Sequence, residues 1–136
     1  MDRKWSITLG AAMAMVALQA AAASLPAAQT QGGIKYINGG VGEDEAAAMK
    51  AEAPHYPLSI VFSAGKDGEY LANVKLSIRD AAGKELLSTA AGPITLVELP
   101  AGTYALSAER NGALLKRTVH VSAKGDTRIV FHWPQA

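Results

Sequence analysis

Between Leu58 and Trp133 apolar and polar side chains alternate with a period of two, interrupted at regular intervals by turn-forming residues. Leu58, Ile60 and Phe62 alternate with Ser59, Val61 and Ser63, and Val74, Leu76 and Ile78 alternate with Lys75, Ser77 and Arg79. Ile94 and Leu96 follow Pro93, and Tyr104, Leu106 and Ala108 alternate with Thr103, Ala105, Ser107 and Glu109. Leu115, Val119 and Val121 share a face with one charged residue, Arg117, while Ile129, Phe131 and Trp133 alternate with Arg128, Val130 and His132. Successive side chains of a strand point to opposite faces, so each run predicts a half-buried strand with one apolar side. The separators carry turn chemistry: Gly65-Lys66-Asp67-Gly68, Asp80-Ala81-Ala82-Gly83, Leu99-Pro100-Ala101-Gly102, Asn111-Gly112 and Lys124-Gly125-Asp126. Asn111-Gly112 is the sharpest of these, because a two-residue type I′ turn needs positive φ at both positions. Its register pairs Ala108 with Leu115 and Tyr104 with Val119, apolar against apolar. A turn at Ser122–Asp126 predicts a last hairpin in which Val121 faces Thr127, His120 faces Arg128 and Lys116 faces His132.

Upstream the pattern differs. Ile34-Lys35-Tyr36-Ile37 predicts a short first strand, followed by the turn-rich Asn38-Gly39-Gly40-Val41-Gly42. Residues 43–53 (EDEAAAMKAEA) predict the one helix: acids occupy the first turn and Lys50 lies near the end, as the helix dipole favours. Ala46, Met49 and Ala53 fall on one face and dock it, and Pro54 and Pro57 end it. Such a short helix is unstable alone in water and needs that docking. About seven strands at regular spacing, with little helix, predict an all-β antiparallel sandwich or small barrel.

The first residues set the compartment. Asp2-Arg3-Lys4, an apolar stretch from Ile7 to Leu18 and small residues from Ala20 to Ser24 form the pattern of a secretory signal peptide. Ala21-Ala22-Ala23 before Ser24 supplies the small side chains that cleavage requires, with Ala22 and Ala28 as other acceptable ends. A permanent anchor wants about 20 strongly apolar residues, whereas this stretch is alanine-rich and broken by Gln19. The expected organisation is a signal peptide over 1–23, a flexible polar tail over 24–33 and one domain over 34–133. The expected location is the periplasm or the exterior, with no membrane insertion after cleavage.

Composition then removes whole classes. Of 13 lysines and arginines, Arg3 and Lys4 leave with the leader, and of 12 acids Asp2 does, so a formal charge of +1 becomes zero. A neutral domain without a dense basic run does not suit nucleic acid or anionic lipid as the main partner. With no cysteine in the chain, disulfides, thiolate metal sites, a cysteine nucleophile and an acylated lipoprotein N-terminus are all excluded.

The residues also carry a resemblance. Val97-Glu98-Leu99-Pro100-Ala101-Gly102-Thr103-Tyr104 resembles the L-P-[AP]-G-x-Y motif of carboxypeptidase regulatory-like domains, which are prealbumin-like β-sandwiches similar to the B-type repeats of bacterial adhesins. Val74 to Leu87, with Asp80-Ala81-Ala82-Gly83-Lys84 as its turn, is similar to the same family's strand, D-x-x-G-[KR], strand pattern. With Gly39–Glu45 ahead of the sandwich, the arrangement resembles small exported proteins of Gram-negative bacteria. The resemblance covers residues 34–133 and implies an Ig-like or prealbumin-like sandwich. Its motifs are turn motifs and are nearly silent on function. Pro100 presets φ, Gly102 leaves the turn freely, and Tyr104 buries its ring while its hydroxyl finds a backbone partner.

Candidate chemistry is sparse. A metal site wants two or three of His55, His120 and His132 on one point, but the predicted last hairpin sets His120 and His132 near its opposite ends. Met49 is the one methionine beyond the leader. No G-x-S-x-G elbow occurs, and Ser59, Ser63, Ser77, Ser88 and Ser107 read as the polar sides of strands. The hydroxyisourate hydrolase of the related transthyretin-like fold ends in Tyr-Arg-Gly-Ser, whereas this chain ends Phe131-His132-Trp133-Pro134-Gln135-Ala136. Glu43-Asp44-Glu45 repels a phosphate at Gly39–Gly42 and lacks the alternating spacing of a calcium loop. An adhesin-type isopeptide bond from Lys35 lacks an Asn or Asp at the centre of the last strand. Trp133 at the C-terminal edge reads as an interaction spot or as the lid of the core, and its shared inward side with Ile129 and Phe131 favours the lid.

The expectation is therefore a non-catalytic exported module, with no catalytic, cofactor or metal residues, that acts through its surface on another exported or envelope protein. The alternative is a small-ligand- or metal-binding periplasmic protein, or a cryptic hydrolase, using loop residues 38–55.

Overall fold

The structure, a computed structural model, describes residues 25–135. The expected signal peptide over 1–23 lies outside the described residues. No described helix is long and apolar enough to cross a membrane.

Among the described residues, ten strands form two packed sheets and one short α-helix lies beside them. The first sheet holds β1 (Gln29–Gln31), β2 (Ile34–Gly39), β7 (Ile94–Glu98), β3 (Leu58–Ala64) and β10 (Thr127–Trp133) in that order, with β4 (Glu69–Tyr70) also paired to β3. The second sheet has the order β6 (Glu85–Ala91), β5 (Val74–Arg79), β8 (Gly102–Arg110), β9 (Ala113–Val121). The all-β sandwich expected from the period-two pattern is what forms.

Three of the ten strands, β1, β4 and β6, lie outside the six alternating runs and the short first strand expected at Ile34–Ile37. β6 is the return arm of the Asp80–Lys84 turn, where Asp80 Oδ1 accepts from the backbone N–H groups of Ala82 (3.0 Å) and Lys84 (2.9 Å). β1 corrects the expected tail: Gln29–Gln31 pairs antiparallel with Ile34–Tyr36. The Gln31 amide also takes the place of a further strand residue, donating to Ser88 O (3.1 Å) and accepting from Ser88 N (2.8 Å) on β6. A polar segment is ordered there because it satisfies open edges of both sheets.

The Asn111-Gly112 hairpin forms as expected. Asn111 has φ 51° and Gly112 φ 81°, and Ala108 pairs with Leu115 and Tyr104 with Val119. The Tyr104 hydroxyl donates to Pro100 O at 2.7 Å, which ties down the crossing from β7 in one sheet to β8 in the other. Burial, with a smaller contribution from the negative charge of Asp80, raises the Tyr104 pKa above its usual value.

The last hairpin does not form. The Ser122–Asp126 turn carries the chain across to the first sheet, where β10 runs parallel to β3 in the register Thr127↔Leu58 to Trp133↔Ala64. Phe131 then stacks on Phe62 with ring centroids 5.8 Å apart, and Trp133 lies 6.5 Å from Phe62. The apolar side of β10 faces inward under either pairing, so the alternation is indifferent to the partner. The aromatic stack at the centre of the sandwich rewards the one observed. Trp133 closes the core as expected, and its Nε1 donates to Ala113 O on β9 at 3.1 Å.

A second correction concerns the outer face of the first sheet. β2 and β3 are each antiparallel to β7, so they run parallel to one another and need a long crossover. That crossover contains the helix α1 (Glu43–Glu52) and a 3₁₀ turn over Ala53–His55. Met49 and Ala46 of α1 press on Ile37, Val61, Ile94 and Leu96, forming a second apolar cluster separate from the sandwich interior. β3 is consequently buried at all seven positions, Ser59, Val61 and Ser63 included. In β7, Ile94 and Leu96 face the helix, while Val97 belongs to the sandwich interior.

Candidate functional site

The surface around α1 carries two adjoining recesses. β2 ends at Gly39, where any Cβ would lie 2.7 Å from Pro26 Cγ and 2.9 Å from Glu45 Oε1, so a larger residue would push the helix start away. Gly42 precedes the helix with φ 88° and offers no side-chain cap. Glu45 in the first turn reaches back instead, its Oε1 accepting from Gly40 N at 2.9 Å and Val41 N at 3.4 Å. This holds the glycine loop against the helix and leaves Glu43 at the surface.

Two grooves flank α1. The larger, about 520 Å³, is lined by the Gly40–Glu43 loop, Ala46, Ala47 and Lys50 on one side and by Tyr70, Ala72 and Pro93 on the other. The smaller, about 430 Å³, runs on past Lys50 and Tyr70 to Ser59, Asp126 and Arg128. Lys50 Nζ sits 5.3 Å from the centroid of the Tyr70 ring and marks the boundary between the two. Val41 and Tyr70, 66% and 39% exposed, are two of the large apolar side chains that the fold leaves in solvent, and both line the larger groove.

The groups singled out for chemistry lie apart. His55, in the 3₁₀ turn, contacts Glu52 Oε1 at 3.1 Å through Nδ1. His120 is on β9 in the second sheet, its Nδ1 2.8 Å from Thr103 Oγ1. His132 is on β10 in the first sheet, its Nδ1 3.0 Å from Ser63 Oγ. The expected placement of His120 and His132 on one hairpin is thus corrected, for they belong to different sheets. Ser63–His132 and Thr103–His120 are register partners on neighbouring strands, where a hydroxyl and an imidazole on one face meet as a matter of course. A nucleophile–base pair needs a third group to orient the base. Among the described residues no carboxylate bonds either ring, and no three His, Asp or Glu side chains gather where they would hold a metal ion. Lys35 is exposed and stands opposite Glu98 on β7.

Residues 38–55, named by the sequence as the alternative binding region, do line the grooves. Tyr70, Ala72 and Pro93 follow no period, so the sequence pattern does not mark them as groove residues. The available signal was an aromatic residue isolated between Gly68 and Asn73. No protein-family model matches the chain, and no curated protein does.

Proposed function

We propose that this chain is a non-catalytic, exported β-sandwich module that works by binding, its partner being another exported or envelope protein. One observation carries the reading: the three histidines each bond a neighbouring side chain at separate places in the fold, while the recessed surface beside α1 is mostly apolar, with Glu43 and Lys50 at its ends. Bond-making sites converge polar groups on one point. Recognition surfaces instead present apolar area with a few charges at its margin, as here. The leader pattern over 1–23 supports export, and the neutral, cysteine-free composition agrees with an accessory module in the periplasm.

A second reading, a small-ligand protein using residues 38–55, is favoured by the position of the larger groove. Both readings are tested on protein recovered after export of the full chain. Its mass reports cleavage, metal analysis reports any bound ion, and chromogenic esters report turnover. Absence of turnover with one envelope protein co-purifying in stoichiometric amount is the expected result. A stoichiometric metal, or ester turnover lost in Ser63→Ala and His132→Ala, overturns the non-catalytic reading.

A further inference from the structure

The larger groove has a charge pattern as well as a shape. Glu43, Ala46, Ala47 and Lys50 are spaced i, i+3, i+4, i+7 and so form one stripe along α1, an acid at one end, an ammonium at the other and two methyl groups between them. At 1.5 Å per residue the two charged positions are about 10 Å apart along the helix. Neither makes an ion pair among the described residues. Lys50 rests on the Tyr70 ring, an exposed cation–π contact of modest strength that a carboxylate readily replaces. Val41, Ala72 and Pro93 complete an apolar trough open to solvent along its length.

We infer that this groove binds a short apolar peptide with free termini, its ammonium at Glu43 and its carboxylate at Lys50. Three extended residues reach about 10 Å, which matches the separation of the two charges. The alanine floor admits small side chains, and the open side leaves the peptide amides hydrated, so none is buried without a partner. A simple fatty carboxylate would satisfy Lys50 and leave Glu43 with no counter-charge, and a fatty amine would do the reverse. The zwitterion answers both. This inference rests on the second reading, a non-catalytic small-ligand protein using residues 38–55, and assigns it a ligand class.

The test uses trialanine, N-acetyl-trialanine and trialanine amide titrated into the isotope-labelled protein, followed by amide chemical shifts. Trialanine is expected to move the resonances of Val41, Ala46, Ala47 and Tyr70. Acetylation weakens binding about three- to fivefold, the size of a half-exposed ion pair, and amidation does the same. In Glu43→Gln the acetyl group ceases to matter while the amide still does, and in Lys50→Gln the reverse holds. Both side chains are exposed, so each variant loses only a helix-dipole contribution and stays folded, its thermal midpoint within a few degrees of native. Absence of shifts at millimolar trialanine, shifts elsewhere, or equal binding of free and blocked peptides overturns the inference. Chromatography of the recovered peptide separates the two levels of failure. Intact but unbound peptide sinks the ligand assignment alone, whereas cleaved peptide sinks the non-catalytic reading beneath it.

Discussion

The two sheets obey one hydrophobic pattern and meet different fates. In the second sheet, β5 alternates buried and exposed positions from Val74 to Arg79, as a half-covered strand should. In the first sheet, β3 has the same kind of sequence, yet its serines and Val61 are buried along with Leu58 and Phe62. The difference is α1, which lies across the outer face of one sheet and leaves the other in water. A period of two thus announces one apolar face. Whether the opposite face is covered depends on where the connections run. In this chain the crossover from β2 to β3 must pass over the sheet, and it brings its own small core with it.

If the sandwich interior and the helix-side cluster are distinct, they should fail differently. The largest effect is expected from Phe62→Ala, which empties the stack of Phe62, Phe131 and Trp133 between the sheets. A loss of about 3–5 kcal/mol should appear as a single shifted urea transition for the whole domain. Met49→Ala removes the buried anchor of α1 and should cost less, about 2 kcal/mol, because the helix can settle toward the sheet. Hydrogen exchange should quicken across residues 43–52 and leave β8 protected. Equal loss of protection in both regions would show one core rather than two.

Tyr104→Phe probes the crossing between the sheets and should cost about 1 kcal/mol through the lost bond to Pro100 O. Its pH dependence has a definite sign. The folded-state pKa is raised, so the folded state holds the proton more tightly than the unfolded chain. That contribution is complete below the unfolded value, near 10, and is lost as pH rises through the folded value. The wild-type denaturation midpoint should therefore fall in this alkaline range by more than that of Tyr104→Phe, and parallel profiles would refute the assignment. The smallest stability change belongs to Arg117→Val, within about 0.5 kcal/mol. Arg117 stands on the otherwise apolar register of the edge strand β9, and its Nη1 reaches Val130 O on the facing edge β10 at 3.3 Å. A charge in that position discourages strand addition. Removing it should produce concentration-dependent association in sedimentation, and a monomer at all concentrations would show that the edge is guarded by other means.

Much was legible in the residues themselves. The alternation, the Asn111-Gly112 hairpin, the Asp80–Lys84 turn, the helix expected over 43–53 and formed over Glu43–Glu52, and the inward set of Trp133 all follow from side-chain period and local backbone preference, which act over a few neighbours. Of the candidate site, the stretch 38–55 was visible as a break in that period, whereas Tyr70, Ala72 and Pro93 were not. Partnership between distant segments was decided elsewhere. The parallel seat of β10 beside β3, the separation of His120 from His132 onto different sheets, the strand made by Gln29–Gln31 and the groove walled by α1 and Tyr70 depend on which surfaces meet. A strand presents the same apolar face to any neighbour, and so only the packing of the complete molecule, with its aromatic stack and its satisfied edges, selects among them.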